Sequence, residues 1–126
     1  MEPTFSIAEI SKSTGLSYDT IRYYEKIGLL PPVNRKENGQ LEYEKSDLDR
    51  LIFITHLKKT NMPLKEIERY MTWASDQNYV SCYSVLYEHK LKIEAQMKEI
   101  QTTLEFMNYK MEHFQDMMKR SGLGGD

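Results

Sequence analysis

A heptad repeat runs without a slip from Leu86 to Met118 and fixes what the C-terminal part of the chain can become. Leu86, Ile93, Ile100, Met107 and Phe114 stand seven apart, and Lys90, Met97, Leu104, Met111 and Met118 fill the second seam position four residues later. Lys90 is the only polar residue in that seam. This spacing keeps one apolar stripe on one side of a helix. At 1.5 Å per residue the segment makes a helix of about 50 Å. A single helix cannot bury its own stripe, so a partner is implied, and a second copy of the chain is the simplest one. Leu86, Ile93, Met97, Ile100, Leu104, Met107, Met111 and Phe114 are therefore the expected dimerisation residues. The heptads alone leave strand orientation open.

The N-terminal stretch FSIAEISKSTGLSYDTIRYYEKIGLLPPVNRKENGQLEY, residues 5 to 43, has a different grammar. Ser6 and Glu9 have the spacing of a capping box, with Ile7 and Ile10 on one face, and Gly15 ends that helix. Ser17 offers a second N-cap for a helix from Tyr18 to Ile27, which turns Ile21 inward and Arg22, Tyr23 and Lys26 outward. Two helices joined by a short glycine-containing turn form a helix-turn-helix, whose second helix enters the major groove of DNA. Tyr18, Asp19 and Thr20, at its start, are candidates for base edges. Arg22 and Tyr23 are candidates for the phosphate backbone. Gly28 then stops the helix, Leu29 and Leu30 return to the core, and Pro31 and Pro32 force an extended exit. The following segment suits a hairpin turned by Asn38 and Gly39, a wing that would carry Arg35, Lys36 and the Tyr43 hydroxyl along phosphates.

Ser46 is positioned to cap a helix running to about Lys59, with Leu48, Leu51, Ile52 and Leu57 as its apolar face. Pro63 suits the start of another, carrying Leu64, Ile67, Tyr70 and Met71. The order of TIRYYEKIGLLPP, Arg35 with Gly39 four residues on, the wing tyrosine and LKKTNMPLKEI resembles the MerR-type transcriptional regulators. The resemblance covers residues 4 to 72 closely and the long C-terminal helix more loosely. Where the family wing reads Gly-Tyr-Arg-x-Tyr, this chain has Gly39, Gln40, Leu41, Glu42 and Tyr43, so the wing arginine is absent. Asn61 stands where the family has glycine; asparagine tolerates the left-handed conformation.

The resemblance implies an antiparallel homodimer on a palindromic promoter operator in double-stranded DNA. It implies that the bound dimer distorts the promoter and that an effector shifts it between silent and active geometries. It also implies RNA polymerase as a partner and a bacterial cytoplasm as the setting. The expected fold is mainly α: a winged helix-turn-helix head over residues 1–75, a linker and coiled-coil dimerisation helix over 76–120, and a flexible tail over 121–126.

Charge does not announce DNA. Residues 1 to 75 hold 11 Lys/Arg and 11 Asp/Glu, and residues 76 to 126 hold 6 and 8, so neither part is basic. Binding must depend on local placement of Arg22, Lys26, Arg35, Lys36 and Lys58, although a single helix lysine is ordinarily solvated surface. With no such excess, and with the wing arginine absent, a coiled-coil interaction or antagonist protein is the alternative reading. No apolar run is long enough to span a membrane, no signal peptide precedes Phe5, and one cysteine cannot form an intrachain disulfide, so a reducing cytoplasm is expected. No nucleophile motif or phosphate-cradling loop suggests an enzyme.

Tyr70, Trp73, Tyr79, Cys82, Tyr83 and Tyr87 gather around the start of the heptads. They are either a pocket for a small apolar or cationic ligand or a packing joint, and the joint is the preferred reading. Cys82 lies near one metal-ligand position of metal-sensing MerR-type proteins, but the tail SGLGGD lacks the cysteine pair those proteins add. A thiol sensor for electrophiles or an inert cysteine remain its two readings. The seam methionines read as adaptable core, and His56, His89 and His113 are dispersed, so no metal and no cofactor are expected.

Overall fold

The computed structural model describes residues 3–122, so most of the tail expected over 121–126 lies outside the described residues. A strand, β1 (Thr4–Phe5), leads into α1 (Ile7–Thr14) and α2 (Tyr18–Lys26). The hairpin strands β2 (Asn34–Arg35) and β3 (Leu41–Glu44) follow, then α3 (Lys45–Lys59), α4 (Leu64–Ser75) and α5 (Tyr79–Arg120). The chain divides into two compact units, one through Val85 and one from Leu86.

In the first unit β3 is the middle strand of a β1-β3-β2 sheet. Phe5 faces Tyr43 across one antiparallel pair and Arg35 faces Leu41 across the other. Helix α1 packs against α2, α3 and β3. Ile10, Ile21, Leu29, Tyr43, Leu51, Ile54, Met62 and Ile67 are enclosed between these elements. The wing is thus built onto the helical core through its central strand.

Local chemistry explains the helix boundaries. Helix α1 has the expected capping box, Ser6 N–H to Glu9 Oε1 at 3.0 Å and Glu9 N–H to Ser6 Oγ at 3.1 Å. Three helices end in one motif. After α2, Gly28 (φ 86°) donates to the Glu25 carbonyl and Leu29 to that of Tyr24, which lets Leu29 drop beside Tyr24 in the core. Asn61 (φ 69°) and Met62 close α3 in the same way on Lys58 and Leu57. Gln77 (φ 59°) and Asn78 do so for α4 on Ala74 and Trp73, with nothing in the residue type to announce it.

Two expectations for the middle of the head are corrected. Ser46 does not cap α3: β3 runs into the helix with no intervening loop, so extended Glu44 is the N-cap and donates its N–H to Asp47 Oδ2 at 2.9 Å. Asp47 is buried in consequence. Ile52 is 36% exposed while Ile54 is fully buried, because the buried row follows Asp47, Leu51, Ile54 and Leu57 and not the hydrophobic residues as such. The wing turn holds Asn38 and Gly39 as expected, with Glu37 completing the loop. Gly39 N–H bonds the Lys36 carbonyl and Lys36 N–H that of Gln40, with only Gly39 (φ 86°) left-handed, the arrangement of a three-residue loop with a glycine bulge.

The second unit continues α5, which begins at Tyr79 under an Asn78 Oδ1 cap on Ser81 N–H and runs for 42 residues, about 63 Å. Within it Met97, Ile100, Leu104, Met107, Met111 and Phe114 are each at least half exposed.

Two outcomes are expected from thermal or denaturant unfolding. Ile54→Ala costs about 2–4 kcal/mol by opening a cavity, while Ile52→Ala costs under about 1 kcal/mol; equal costs contradict the packing. Gln77→Gly raises stability by roughly 0.5–1 kcal/mol by relieving left-handed strain in α4's terminal motif.

Candidate nucleic-acid interface

The interface begins with how α2 is started. Ser17 Oγ accepts the Thr20 N–H at 3.1 Å and donates to Thr20 Oγ1 at 2.9 Å. That cap places Tyr18 and Asp19 in the first turn, with Tyr18 half exposed. Thr20 is part-buried and its hydroxyl is engaged locally, so it is the least available of the three base-edge candidates. Ile21 and Tyr24 anchor the opposite face in the core. Tyr23 is half exposed, and Arg22 reaches Glu25 in an ion pair at 3.5 Å.

Tyr18, Asp19 and Arg22 share a cleft of about 500 Å³ with Arg35, Gly39, Gln40 and Leu41 of the wing and with Ser6, Ile7 and Ala8. The start of α1, the reading helix and the wing therefore meet at one concavity. Reasoning from sequence missed the α1 residues and Leu41 there; the Ser6 capping signal was the available clue, since free N–H groups at a helix start attract anions. Here that start already has its own anion. Glu9 is held ionised below the ordinary glutamate range, first by the Ser6 N–H, then by the Ser6 hydroxyl, with the Lys36 charge assisting. Attraction for an incoming anion thus rests on Arg22 and Arg35.

Arg35 is fixed across the wing by an Nη1 bond to the Gly39 carbonyl at 2.8 Å. Glu42 is tied down too, accepting from Thr4 Oγ1 at 2.8 Å. Leu41, at the position of the absent wing arginine, gives the cleft an apolar wall. Lys26, Lys36 and Lys58 are exposed, but they are not among the residues lining this cleft.

Tyr43 requires a correction. Expected on a phosphate run, it is 0% exposed, and its hydroxyl is buried without a hydrogen-bond partner. Alternation along β3 turns it to the core, since Tyr43 pairs with Phe5 under the sheet while Glu44 faces out. Burial, and then the charge of Glu25, push its phenol pKa upward.

Tyr70 packs on Phe53 at 5.6 Å between ring centres, and the buried Cys82 thiol lies 3.9 Å from the Tyr70 carbonyl oxygen. Trp73 lines a hollow with Lys65, Glu68, Arg69 and Thr72, whose walls include neither Cys82 nor the other tyrosines. Tyr79 and Tyr83 are largely exposed.

Tyr43→Phe should therefore leave stability unchanged or raise it, because removing a buried unpaired hydroxyl removes a desolvation cost of about 1–3 kcal/mol. DNA affinity should not fall; a several-fold weakening in a binding titration would restore the phosphate role.

Comparison with known proteins agrees with this geometry. Residues 5–72 match the MerR HTH family regulatory protein. An uncharacterized HTH-type transcriptional regulator of Haemophilus influenzae is 32% identical over 114 residues, 89% of this chain and 84% of that protein. YyaN of Bacillus subtilis, an uncharacterized HTH-type transcriptional regulator, is 42% identical over 67 residues, 53% of this chain, which spans about half (49%) of YyaN. Among solved structures, HiNmlR, a MerR family regulator lacking the sensor domain and bound to promoter DNA, superposes with a TM-score of 0.85 at 31% identity over 95% of this chain and 92% of that one. EcmrR, bound to DNA in EcmrR-RPo, gives 0.52 at 27% identity over 86% and 39%. With its helix-turn-helix, its wing and a match across more than half its length, the chain belongs to the MerR family of transcriptional regulators.

Proposed function

We propose that this regulator binds a palindromic promoter operator as a homodimer, reading it with α2 and gripping phosphates with Arg22 and Arg35. The observation that carries the reading is the single cleft in which Tyr18, Asp19, Arg22 and Arg35 come together beside the start of α1. Tyr23, Lys26, Lys36 and Lys58 extend the grip from exposed positions. Residues 1–75 act as the DNA-binding head and 76–120 as the dimerisation segment, with α5 pairing antiparallel to its copy. The exposed seam supports that pairing: Ile100 is 67% and Met97 64% exposed in one chain, and apolar stripes of this length are covered in stable proteins. The likeness to HiNmlR on promoter DNA and to EcmrR supports a promoter target with RNA polymerase as a partner. In this reading the dimer distorts its promoter, an effector shifts it between two geometries, and it works in the bacterial cytoplasm; family membership is the support for these. Two-fold symmetry sets the half-sites on one face of the duplex, whole turns apart.

The test is selection of bound sequences from random duplex DNA, beside sedimentation of the protein. An enriched palindrome and a dimer mass are expected, and Ile100→Glu should yield monomers. With Arg35→Ala, the slope of log affinity against log salt should flatten by about 0.9 for each phosphate the head no longer neutralises, roughly twice that for a dimer. No enrichment with the dimer intact would instead favour the coiled-coil interaction or antagonist protein.

A further inference from the structure

Behind the cleft, Arg22 has an acidic partner that the DNA-binding reading does not use. Arg22 and Glu25, one turn apart on α2, touch through Arg22 Nε and Glu25 Oε2 at 3.5 Å. Arg22 is half exposed and lines the cleft, whereas Glu25 is 22% exposed and is not among its lining residues. Glu25 therefore stands behind Arg22 as seen from the cleft. Its Oε2 is buried without a hydrogen bond, as is the Tyr43 hydroxyl. A buried carboxylate oxygen is costly unless a cation is at hand, and the guanidinium of Arg22 is the one in contact. Burial first, and then the Glu25 charge, push the Tyr43 phenol pKa up, and the Arg22 charge opposes them.

We propose that Glu25 is a positioning residue for DNA binding, holding Arg22 by Nε so that the terminal nitrogens of the guanidinium meet a phosphate in the cleft. An arginine stem loses much rotamer freedom when it grips a planar acid, and a carboxylate behind it supplies that order beforehand. The Nε contact suits the role, since it leaves the terminal fork for two parallel bonds to phosphate oxygens. This proposal rests on the reading of Arg22 as a phosphate contact.

The experiment is a double-mutant cycle in DNA binding by the full chain. Its probe is a fixed-sequence duplex several helical turns long with no selected operator, titrated by fluorescence anisotropy at several salt concentrations. Glu25→Gln should weaken binding roughly 5-fold or more on the wild-type background and change nothing on Arg22→Ala, the signature of coupling. Its salt slope should stay at the wild-type value, because every phosphate keeps its cation, whereas Arg22→Ala should flatten it. Glu25→Asp, which keeps the charge on a shorter stem, should also weaken binding. Thermal melts of every variant confirm that each is folded at the temperature of the titration. Tighter binding by Glu25→Gln on both backgrounds would show a merely repulsive charge and overturn the proposal. So would wild-type affinity for Glu25→Asp. If Arg22→Ala itself keeps wild-type affinity and slope, the phosphate contact falls and the positioning role with it, an outcome distinct from the others.

Discussion

The burial of Tyr43 in the middle strand of the sheet is the contact on which the head depends. Strand β3 is paired on both edges, by β1 near the chain start and by β2 of the wing, so the hairpin is tied to the rest of the head through the β1–β3 ladder. The same strand passes directly into α3, where Asp47 accepts the Glu44 N–H and is itself buried. Sheet register, wing position and the first turn of α3 are therefore set by four consecutive residues, Tyr43 to Ser46, and the aspartate that follows them. A ring of this size in so small a core contributes several kcal/mol when fully buried, about what a modest domain has to spare.

Much of the architecture was legible because it is written in local chemistry. The Ser6 and Glu9 pair, the Ser17 cap, Gly15 and Gly28 each act over a few residues, and the structure has them where the sequence suggests. The misreadings share a cause in tertiary context. Ile52 and Ile54 are equally hydrophobic, and only the direction from which β3 enters α3 decides which faces inward. Ser46 has the right chemistry for a cap, but a strand that leads straight into the helix leaves that position inside the first turn. The hydroxyl of Tyr43 suggests a polar partner, whereas the alternation of Leu41, Glu42, Tyr43 and Glu44 points to the side of the sheet on which the ring lies. The candidate site was half legible: the arginines and Tyr18 could be named from spacing, while the contribution of α1 and of Leu41 requires knowing that the wing folds back over the reading helix.

The neutral head also makes sense in these terms. Net charge governs long-range attraction, whereas a docking surface is decided by which charges remain unengaged near it. Glu9 is held by its cap and Glu42 by Thr4, while Arg22 and Arg35 border the cleft with Asp19 as the acid among its lining residues. An apolar wall at Leu41 makes that cleft narrower in chemistry than an additional arginine would, favouring close fit over bulk attraction.

A wing whose inner strand is paired on both sides, with Arg35 bonded to its own turn and Glu42 to β1, is a stiff tooth and not a pliable finger. Little ordering entropy is left for it to lose on contact, so association starts from a prepared shape. Stiffness on one side of an encounter moves adaptation to the other. In the proposed complex the adapting partner is the duplex, whose mechanical compliance varies from one base step to the next and would then become part of what is recognised.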